Sequence, residues 1–190
     1  MGRDGEQRIC GFLVRVPFCA MVRYAEPGVL EWVESAGGPL IAVPETVLPF
    51  WAGADGEETA SDYDRACEVD GYVGLLPVGD SAALVMGDEP ASTAFLPEHA
   101  TFVRWWAANS EDEILAGVPA ALATADWEHE VSWEVPGTVM LFDSAWPGSE
   151  TERTECLRVE LEPGTYAVRA ANVQPGPETW LGLVQLRRIP

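Results

Sequence analysis

The amino-acid sequence predicts an α+β fold, mainly an antiparallel β-sheet domain with two or so short helices. In the last third of the chain, apolar and polar residues alternate with the period of a strand. Elsewhere the apolar runs are short and end at Gly or Pro turns, and two stretches begin with helix-capping residues. Strands with one solvent-exposed face and short connecting turns are typical of an antiparallel sheet.

The alternation is clearest between Trp127 and Val135, where Trp, His, Val, Trp and Val occupy the odd positions. Because successive side chains of a strand point to opposite faces, this segment has one core face and one acidic face. The acidic row of Glu128, Glu130 and Glu134 is a solvated face, an edge charged against aggregation, or a docking face for a basic partner. The other predicted strands are Leu30–Val33, Leu40–Val43, Tyr72–Val78, Ala82–Met86, Thr101–Ala107, Thr138–Phe142, Leu157–Leu161, Thr165–Ala171 and Trp180–Ile189.

Turn sequences predict how consecutive strands are joined. Gly37-Gly38-Pro39 is expected to join the first two strands. Gly79-Asp80 is expected to close a hairpin between Tyr72–Val78 and Ala82–Met86. Pro163-Gly164 then turns the chain back into the following strand.

Two helices are expected from their capping residues. Ser61 or Asp62 caps a short helix that runs through Cys67. Ser110-Glu111-Asp112-Glu113 has the spacing of a capping box, in which a hydroxyl and a carboxylate each accept a bond from a backbone amide. Pro119 lies too deep for the first turn of that second helix, which is expected to kink or restart there.

The charge of the chain excludes one class of partner. Its 190 residues include 31 Asp and Glu against 11 Arg and no Lys, which gives a formal net charge of −20. A surface of that sign repels phosphate, and Arg occurs no more than two in a row, so no basic stripe can follow a nucleic acid. Direct nucleic-acid binding is therefore excluded.

Length and composition predict one domain over 26–190, preceded by an extension over 1–25 that is expected to be dispensable or disordered. The apolar run Ile9–Val22 is interrupted by Arg15 and Pro17, which argues against a signal peptide, and it is too short to cross a bilayer. Four scattered Cys without a Cys-x-x-Cys pair indicate reduced thiols. We therefore expect a cytoplasmic protein that does not associate with membranes.

Few residues of the sequence are candidates for catalysis or metal binding. No residue near Cys67 activates its thiol, so this Cys is interpreted as a buried structural residue. Asp62 and Asp64 have the spacing of a calcium loop, but Ala66 stands at the next ligand position, and a capped helix start is the preferred interpretation. The sequence therefore predicts no enzyme, no metal and no cofactor.

Eight Trp residues make a carbohydrate-binding or glycoside-cleaving β domain the alternative function. Sugar rings stack on aromatic platforms, and two carboxylates roughly 5–10 Å apart cleave glycosidic bonds. Because Trp105 and Trp106 are adjacent on a predicted strand, either one of them lies outside the core or both faces of the strand are covered. Trp127 and Trp133 belong to the predicted core face, which leaves as platform candidates Trp51, Trp105, Trp106 and Trp146.

Short motifs also follow one another in an order that resembles a known family. Glu34-Ser35-Ala36-Gly37-Gly38-Pro39-Leu40 resembles the Glu-Ser-x-Gly-Gly-Pro-Leu opening of the immunity protein 21 family. The further matching motifs are Trp51-Ala52-Gly53, Asp62–Cys67, Gly87–Pro90 with Thr93, Arg104-Trp105, Leu141–Ala145 with Pro147-Gly148, and Pro163-Gly164 with Tyr166. Together they cover about Leu30 to Ile189, nearly the whole chain.

The resemblance implies an immunity protein of a bacterial polymorphic toxin system. Such a protein stays in the cytoplasm of the producer and neutralises a cognate toxin domain by stoichiometric binding, without catalysis. If the toxin is basic, a charge of −20 would speed their association by electrostatic steering. This function predicts a flat or convex acidic face, whereas the carbohydrate alternative predicts a groove lined by two or more parallel Trp. The oligomeric state stays open.

Two groups of residues are candidates for the site. The partner-binding candidates are acidic and aromatic: Asp55, Glu57, Glu58, Asp62, Asp64, Glu89 and Trp105. The motif residues that shape the fold or bind are Gly37, Gly38, Pro39, Trp51, Arg65, Arg104 and Asp143. Arg65 is expected to pair inside the fold with a carboxylate such as Asp143.

Overall fold

The structure, a computed structural model, describes residues 23–26, 29–55, 60–87 and 90–190, and of His129 it describes the backbone alone. Residues 1–22 of the predicted extension and the candidates Glu57, Glu58 and Glu89 lie outside the described residues. In these ranges the strands and α-helices are β1 (Arg23–Tyr24), β2 (Leu40–Pro44), α1 (Asp62–Cys67), β3 (Gly74–Val78), β4 (Ser81–Met86), β5 (Thr93–Leu96), β6 (Thr101–Ala107), α2 (Glu111–Thr124), β7 (Glu128–Val135), β8 (Val139–Asp143), β9 (Cys156–Val159), β10 (Gly164–Val173) and β11 (Trp180–Arg188).

The strands form two sheets, which confirms the predicted α+β class. Sheet 1 has the order β1-β9-β8-β2-β4-β3, and sheet 2 has the order β5-β6-β11-β10-β7. The strands of both sheets pair antiparallel, except that β1 runs parallel to β9. The predicted hairpin at Gly79-Asp80 is confirmed as β3–β4. β11 lies at the centre of sheet 2, while β3 and β7 are terminal strands that contact each other.

Three apolar clusters divide the molecule into four layers. Between the sheets, the largest cluster contains Trp133 and Phe102. On the outer face of sheet 1, a second cluster packs beneath α1 and a 3-10 turn at Leu48–Phe50. On the outer face of sheet 2, a third cluster packs beneath α2 and includes Ile114 and Val118. Each large apolar side chain buried in this way stabilises the fold by about 1.5–3 kcal/mol.

β7 confirms the predicted alternation from Glu130 to Val135, but the prediction that Trp127 shares the core face of Trp133 is wrong. Trp127 precedes β7 and packs in the cluster on the outer face of sheet 2, because the register of β7 against β10 shifts at a bulge opposite Glu128 and Glu130. Trp133 and Val135 are buried, whereas Glu128, Glu130 and Glu134 are exposed. Because β7 is the terminal strand of sheet 2, its acidic row lies at a sheet edge, where like charges oppose pairing with another strand.

α2 differs from its prediction at two points. The Ser110 hydroxyl accepts a hydrogen bond from the Glu113 amide at 3.2 Å, but the Glu113 carboxylate accepts one from Asn109 at 3.0 Å, so only half of the capping box forms. The helix also does not restart at Pro119 but runs unbroken to Thr124. Pro119 lies on the exposed face of α2, and because it has no amide hydrogen the helix lacks one backbone hydrogen bond there. The opposite face of α2 stays packed on sheet 2. Among the described helices, none is long and apolar enough to span a membrane.

The predicted strand Leu30–Val33 and its hairpin with Leu40–Val43 are wrong. Val33 instead exchanges two backbone hydrogen bonds of 2.9 Å with Thr93, beside sheet 2, whereas β2 pairs with β4 and β8 in sheet 1. The intervening loop, with Gly37 at a φ of 128°, carries the chain from one sheet to the other. The sequence missed β5, which begins at Thr93, because both of its faces are buried and no alternation marks it.

Candidate functional site

Most of the motif residues meet on the outer side of sheet 1, in a region that we call the motif junction. It consists of Ala36–Pro39, Trp51–Gly53, Asp62–Cys67 and Asp143–Gly148. At its centre, Asp143 is only 4% exposed. One of its carboxylate oxygens accepts a hydrogen bond from the Ala36 amide at 2.6 Å and the other accepts one from the Ala145 amide at 2.9 Å. Asp143 therefore ties the loop before β2 to the end of β8.

Trp51 occupies the interior of the same junction. It is 1% exposed, and its indole Nε1 donates a hydrogen bond to the carbonyl of Ser144 at 3.0 Å. The Gly148 amide donates to the Trp51 carbonyl at 2.8 Å. The prediction that Trp51 is an exposed sugar platform is therefore wrong, because the ring is needed to fill the cluster on sheet 1.

Arg65 pairs with a carboxylate inside the fold, as predicted, but the partner is Asp62 and not Asp143. Its Nη1 donates to Asp62 at 2.7 Å, and its Nη2 donates to the Pro77 carbonyl at 3.2 Å. Asp62 and Arg65 are neighbours one turn apart on α1, whereas Asp143 already accepts two backbone amides. Asp62 also accepts a hydrogen bond from the Ala52 amide at 2.8 Å, which joins α1 to the preceding loop.

The other acidic candidates near α1 are more exposed. Asp64 completes a capping box with Ser61, because each residue's side chain accepts a hydrogen bond from the other's amide, at 3.0 and 3.1 Å. The Ser61 amide and hydroxyl, which both donate to the carboxylate, lower the pKa of Asp64. This confirms the capped helix start that the sequence predicts. Asp55 is exposed on the loop before the undescribed residues 56–59.

A cavity of about 320 Å³ lies beside the junction. Its lining includes Gly37, Gly38, Pro39, Cys67 and Asp70. Gly38 allows a close approach, since a Cβ at that position would lie 2.5 Å from the Cε2 atom of Tyr63. Cys67 is exposed, so its predicted burial is wrong. A hydrogen bond with Cys67 raises the pKa of Tyr63.

β6 carries the other motif pair to a different part of the molecule. Arg104 is buried, and its Nη1 donates to the Gly87 carbonyl at 2.8 Å. Trp105 is half-buried in the layer beneath α2, with its ring centroid 5.3 Å from that of Trp32. Trp106, on the opposite face, is half-buried beside Tyr72. Both faces of β6 are therefore covered, and Trp105 lies on the other side of the sandwich from Asp62 and Asp64.

Of the platform candidates, Trp146 is the most exposed, at 45%. The cavity beside it is also lined by Glu34, Asp143 and Arg153, with no second Trp among its described lining residues. Trp51 is buried and Trp105 and Trp106 are half-buried on opposite faces of one strand. These four rings therefore do not form the row of parallel platforms that the carbohydrate alternative predicts.

A second region, which we call the inter-sheet groove, opens between the terminal strands β3 and β7. It is a groove of about 900 Å³, lined by Thr46, Phe50, Leu75, Gly79, Asp80, Ser81, Ala82, Ser132, Trp133, Glu134 and Pro136. Phe50, on the 3-10 turn, is 66% exposed, and the acidic residues Asp80 and Glu134 are also exposed. Sequence reasoning missed this region because its three segments are far apart along the chain. The only local signal was that a hairpin turn and an acidic strand each carried a carboxylate.

Metal binding gains no support from the described side chains. Within 23–26, 29–55, 60–87 and 90–190, no three His, Cys, Asp or Glu residues group as metal ligands would. The sequence predicts His129 on the core face of its strand, and the side chain of this residue lies outside the part of the chain that the structure describes.

Comparison with protein families decides the family of the chain. Residues 31–179 match the model of the family described as immunity protein 21. The chain belongs to the immunity protein 21 family. Comparisons with curated proteins and with solved structures give no match. The immunity protein 21 match ends one residue before β11, yet β11 joins β6 to β10, so sheet 2 depends on residues beyond the matched span.

Proposed function

We propose that this chain is an immunity protein that binds and neutralises a cognate bacterial toxin domain in the cytoplasm of the producing cell. Inhibition is stoichiometric and involves no catalysis and no cofactor. The observation that carries the proposal is the match to the immunity protein 21 family over 31–179, which covers most of the chain.

The charge distribution supports binding to a basic toxin. The net charge is −20, and exposed carboxylates occur on α1, on β7 and at the hairpin turn of β3–β4. A field of this sign raises the rate at which a positively charged protein is captured. Rapid capture matters for an inhibitor that must act before the toxin reaches its target.

The acidic candidates near α1 fit a steering role better than an anchoring role. The carboxylates of Asp62 and Asp64 already accept hydrogen bonds within the fold. Asp55 is exposed, and together with these two residues it contributes negative potential without contacting the toxin.

Co-expression tests the proposal directly. The full chain is expressed together with the toxin domain encoded beside its gene, and growth and co-purification are measured. We expect growth to be rescued and a one-to-one complex to be isolated, with an association rate that falls as salt is added. A chain that ends at Thr179, and so lacks β11, is the matched negative control. A toxic neighbour that is neither bound nor neutralised by the full chain would overturn the proposal.

A further inference from the structure

We propose that the inter-sheet groove is the toxin-docking surface, and that it takes a basic segment of the toxin whose Arg or Lys side chain lies over Phe50, between Asp80 and Glu134. This inference rests on the proposed immunity function and specifies which surface carries it.

Phe50 is the first observation. Its ring is 66% exposed, although a large aromatic side chain is normally covered by other residues. The ring lies close to the β3–β4 turn, where a Cβ on Gly79 would be 3.0 Å from the Phe50 Cδ2 atom. Phe50 is thus held in place by the turn while one side of the ring stays open. A fixed, exposed aromatic ring loses little conformational entropy on binding, as in the anchor residues of protein interfaces.

The charge around that ring is the second observation. Asp80 and Glu134 are exposed and lie on opposite walls of the groove, one on the β3–β4 turn and one on β7. Among the described residues that line the groove, none is an Arg. A guanidinium or ammonium group bound in the groove would have carboxylates on both walls and an exposed aromatic ring available for contact. The groove therefore selects a cation.

The frame of the groove is the third observation. Trp133 is fully buried between the sheets, and its indole Nε1 donates a hydrogen bond to the Ala82 carbonyl at 2.9 Å. This bond joins β7 of sheet 2 to β4 of sheet 1 beneath the groove. The two walls belong to sheets that pack on one core, so their spacing is set before the toxin arrives.

The cavity beside Trp146 fits a basic segment less well. It contains Arg153 together with Glu34, Glu155 and Asp143, and Asp143 is engaged with backbone amides. The positive charge of Arg153 would oppose a basic partner there.

The test is a binding titration of the purified full-length protein with the purified toxin domain. Phe50→Ala removes the ring, and the double variant Asp80→Arg with Glu134→Arg reverses the charge of both walls. The matched controls are Trp180→Ala, an aromatic that is 50% exposed elsewhere, and Glu98→Arg with Asp126→Arg, which changes the net charge equally. Circular dichroism and thermal unfolding verify that each variant is folded.

We expect Phe50→Ala to weaken binding by about thirtyfold and the groove charge reversal by about a hundredfold or more. Each control should change the dissociation constant by less than about fivefold, mainly through the association rate. If Phe50→Ala does not fold, the double charge-reversal variant still tests the groove assignment, because it changes exposed side chains only.

The outcomes separate the two proposals. If the wild-type protein does not bind the toxin, the immunity function fails and the groove with it. If the wild type binds and the groove variants bind equally well, or if the control charge reversal weakens binding as much as the groove reversal, only the groove assignment is overturned.

Discussion

The motif junction and the inter-sheet groove differ in how their polar groups are used. In the junction, Asp143, Asp62 and Arg65 each bond to backbone groups of other segments. In the groove, Asp80 and Glu134 point to solvent beside an exposed aromatic ring. One region uses its side chains to join loops to sheet 1, and the other presents them outward.

This difference teaches where a family motif is informative. A motif marks positions where the fold requires a particular group, such as a carboxylate for two amides or the absence of a Cβ at Gly38. A docking surface needs only that ordinary residues lie together at an accessible place. The residues of the motif junction were therefore singled out from sequence, whereas Phe50 and Asp80 of the inter-sheet groove were not.

The largest effect is expected from Trp51→Ala. The ring is buried and its indole bonds to the Ser144 carbonyl, so truncation leaves a cavity and an unpaired acceptor. We expect the free energy of unfolding, measured in urea, to fall by about 3–5 kcal/mol. Trp146→Ala, at a ring that is 45% exposed, should cost less than about 1 kcal/mol. Equal losses of unfolding free energy in the two variants would contradict the distinction between the buried Trp51 and the exposed Trp146 of the motif junction.

Asp143→Ala is expected to have the next largest effect. It leaves the amides of Ala36 and Ala145 without their acceptor in a nearly buried site. The expected loss of unfolding free energy is about 2–4 kcal/mol. Asp55→Ala, at an exposed carboxylate, should stay within about 0.5 kcal/mol of wild type. A stable Asp143→Ala protein would show that the junction does not depend on this carboxylate.

Arg65→Ala sharpens the comparison between fold and binding. Its ion pair with Asp62 is partly exposed, so the protein should remain folded and lose about 1 kcal/mol or less of unfolding free energy. Toxin affinity, measured by titration, should stay within about twofold of wild type, because the Arg65–Asp62 ion pair lies in the motif junction and not in the inter-sheet groove. A folded variant that no longer bound toxin would move the docking surface from the groove to the junction.

The smallest effect is expected from the titration of Asp64. Because its pKa is lowered in the folded state from the usual value of 3.8, its contribution to stability is present above that value. The contribution is lost as the pH falls through the lower folded pKa. Asp64→Asn should therefore flatten the decrease in melting temperature with acid, and Ser61→Ala, which keeps the amide donor, should flatten it less. Identical acid profiles for all three proteins would refute this linkage.

The sequence predicted those parts of the structure that have a local pattern. The alternation of β7, the Gly79-Asp80 hairpin and the Ser61 cap each follow from residues that are close together in the sequence. The pairing of Val33 with Thr93 was not predictable in this way, because the partners are remote in sequence. The pairing of Arg65 with Asp62 was also not predictable, because it depends on Asp143 being engaged with backbone amides in the folded chain.

The central place of β11 has a consequence for the order of events during synthesis. β11 follows the other four strands of sheet 2 along the chain, yet it connects β5–β6 with β10–β7. Until residues up to Arg188 have been made, the strand that links the β10–β7 pair to the β5–β6 pair is missing. Under the proposed immunity function, we therefore expect a nascent chain that lacks β11 not to protect the cell. On the proposed immunity function, the interval between the emergence of this strand and the closure of sheet 2 sets how early a producing cell is protected.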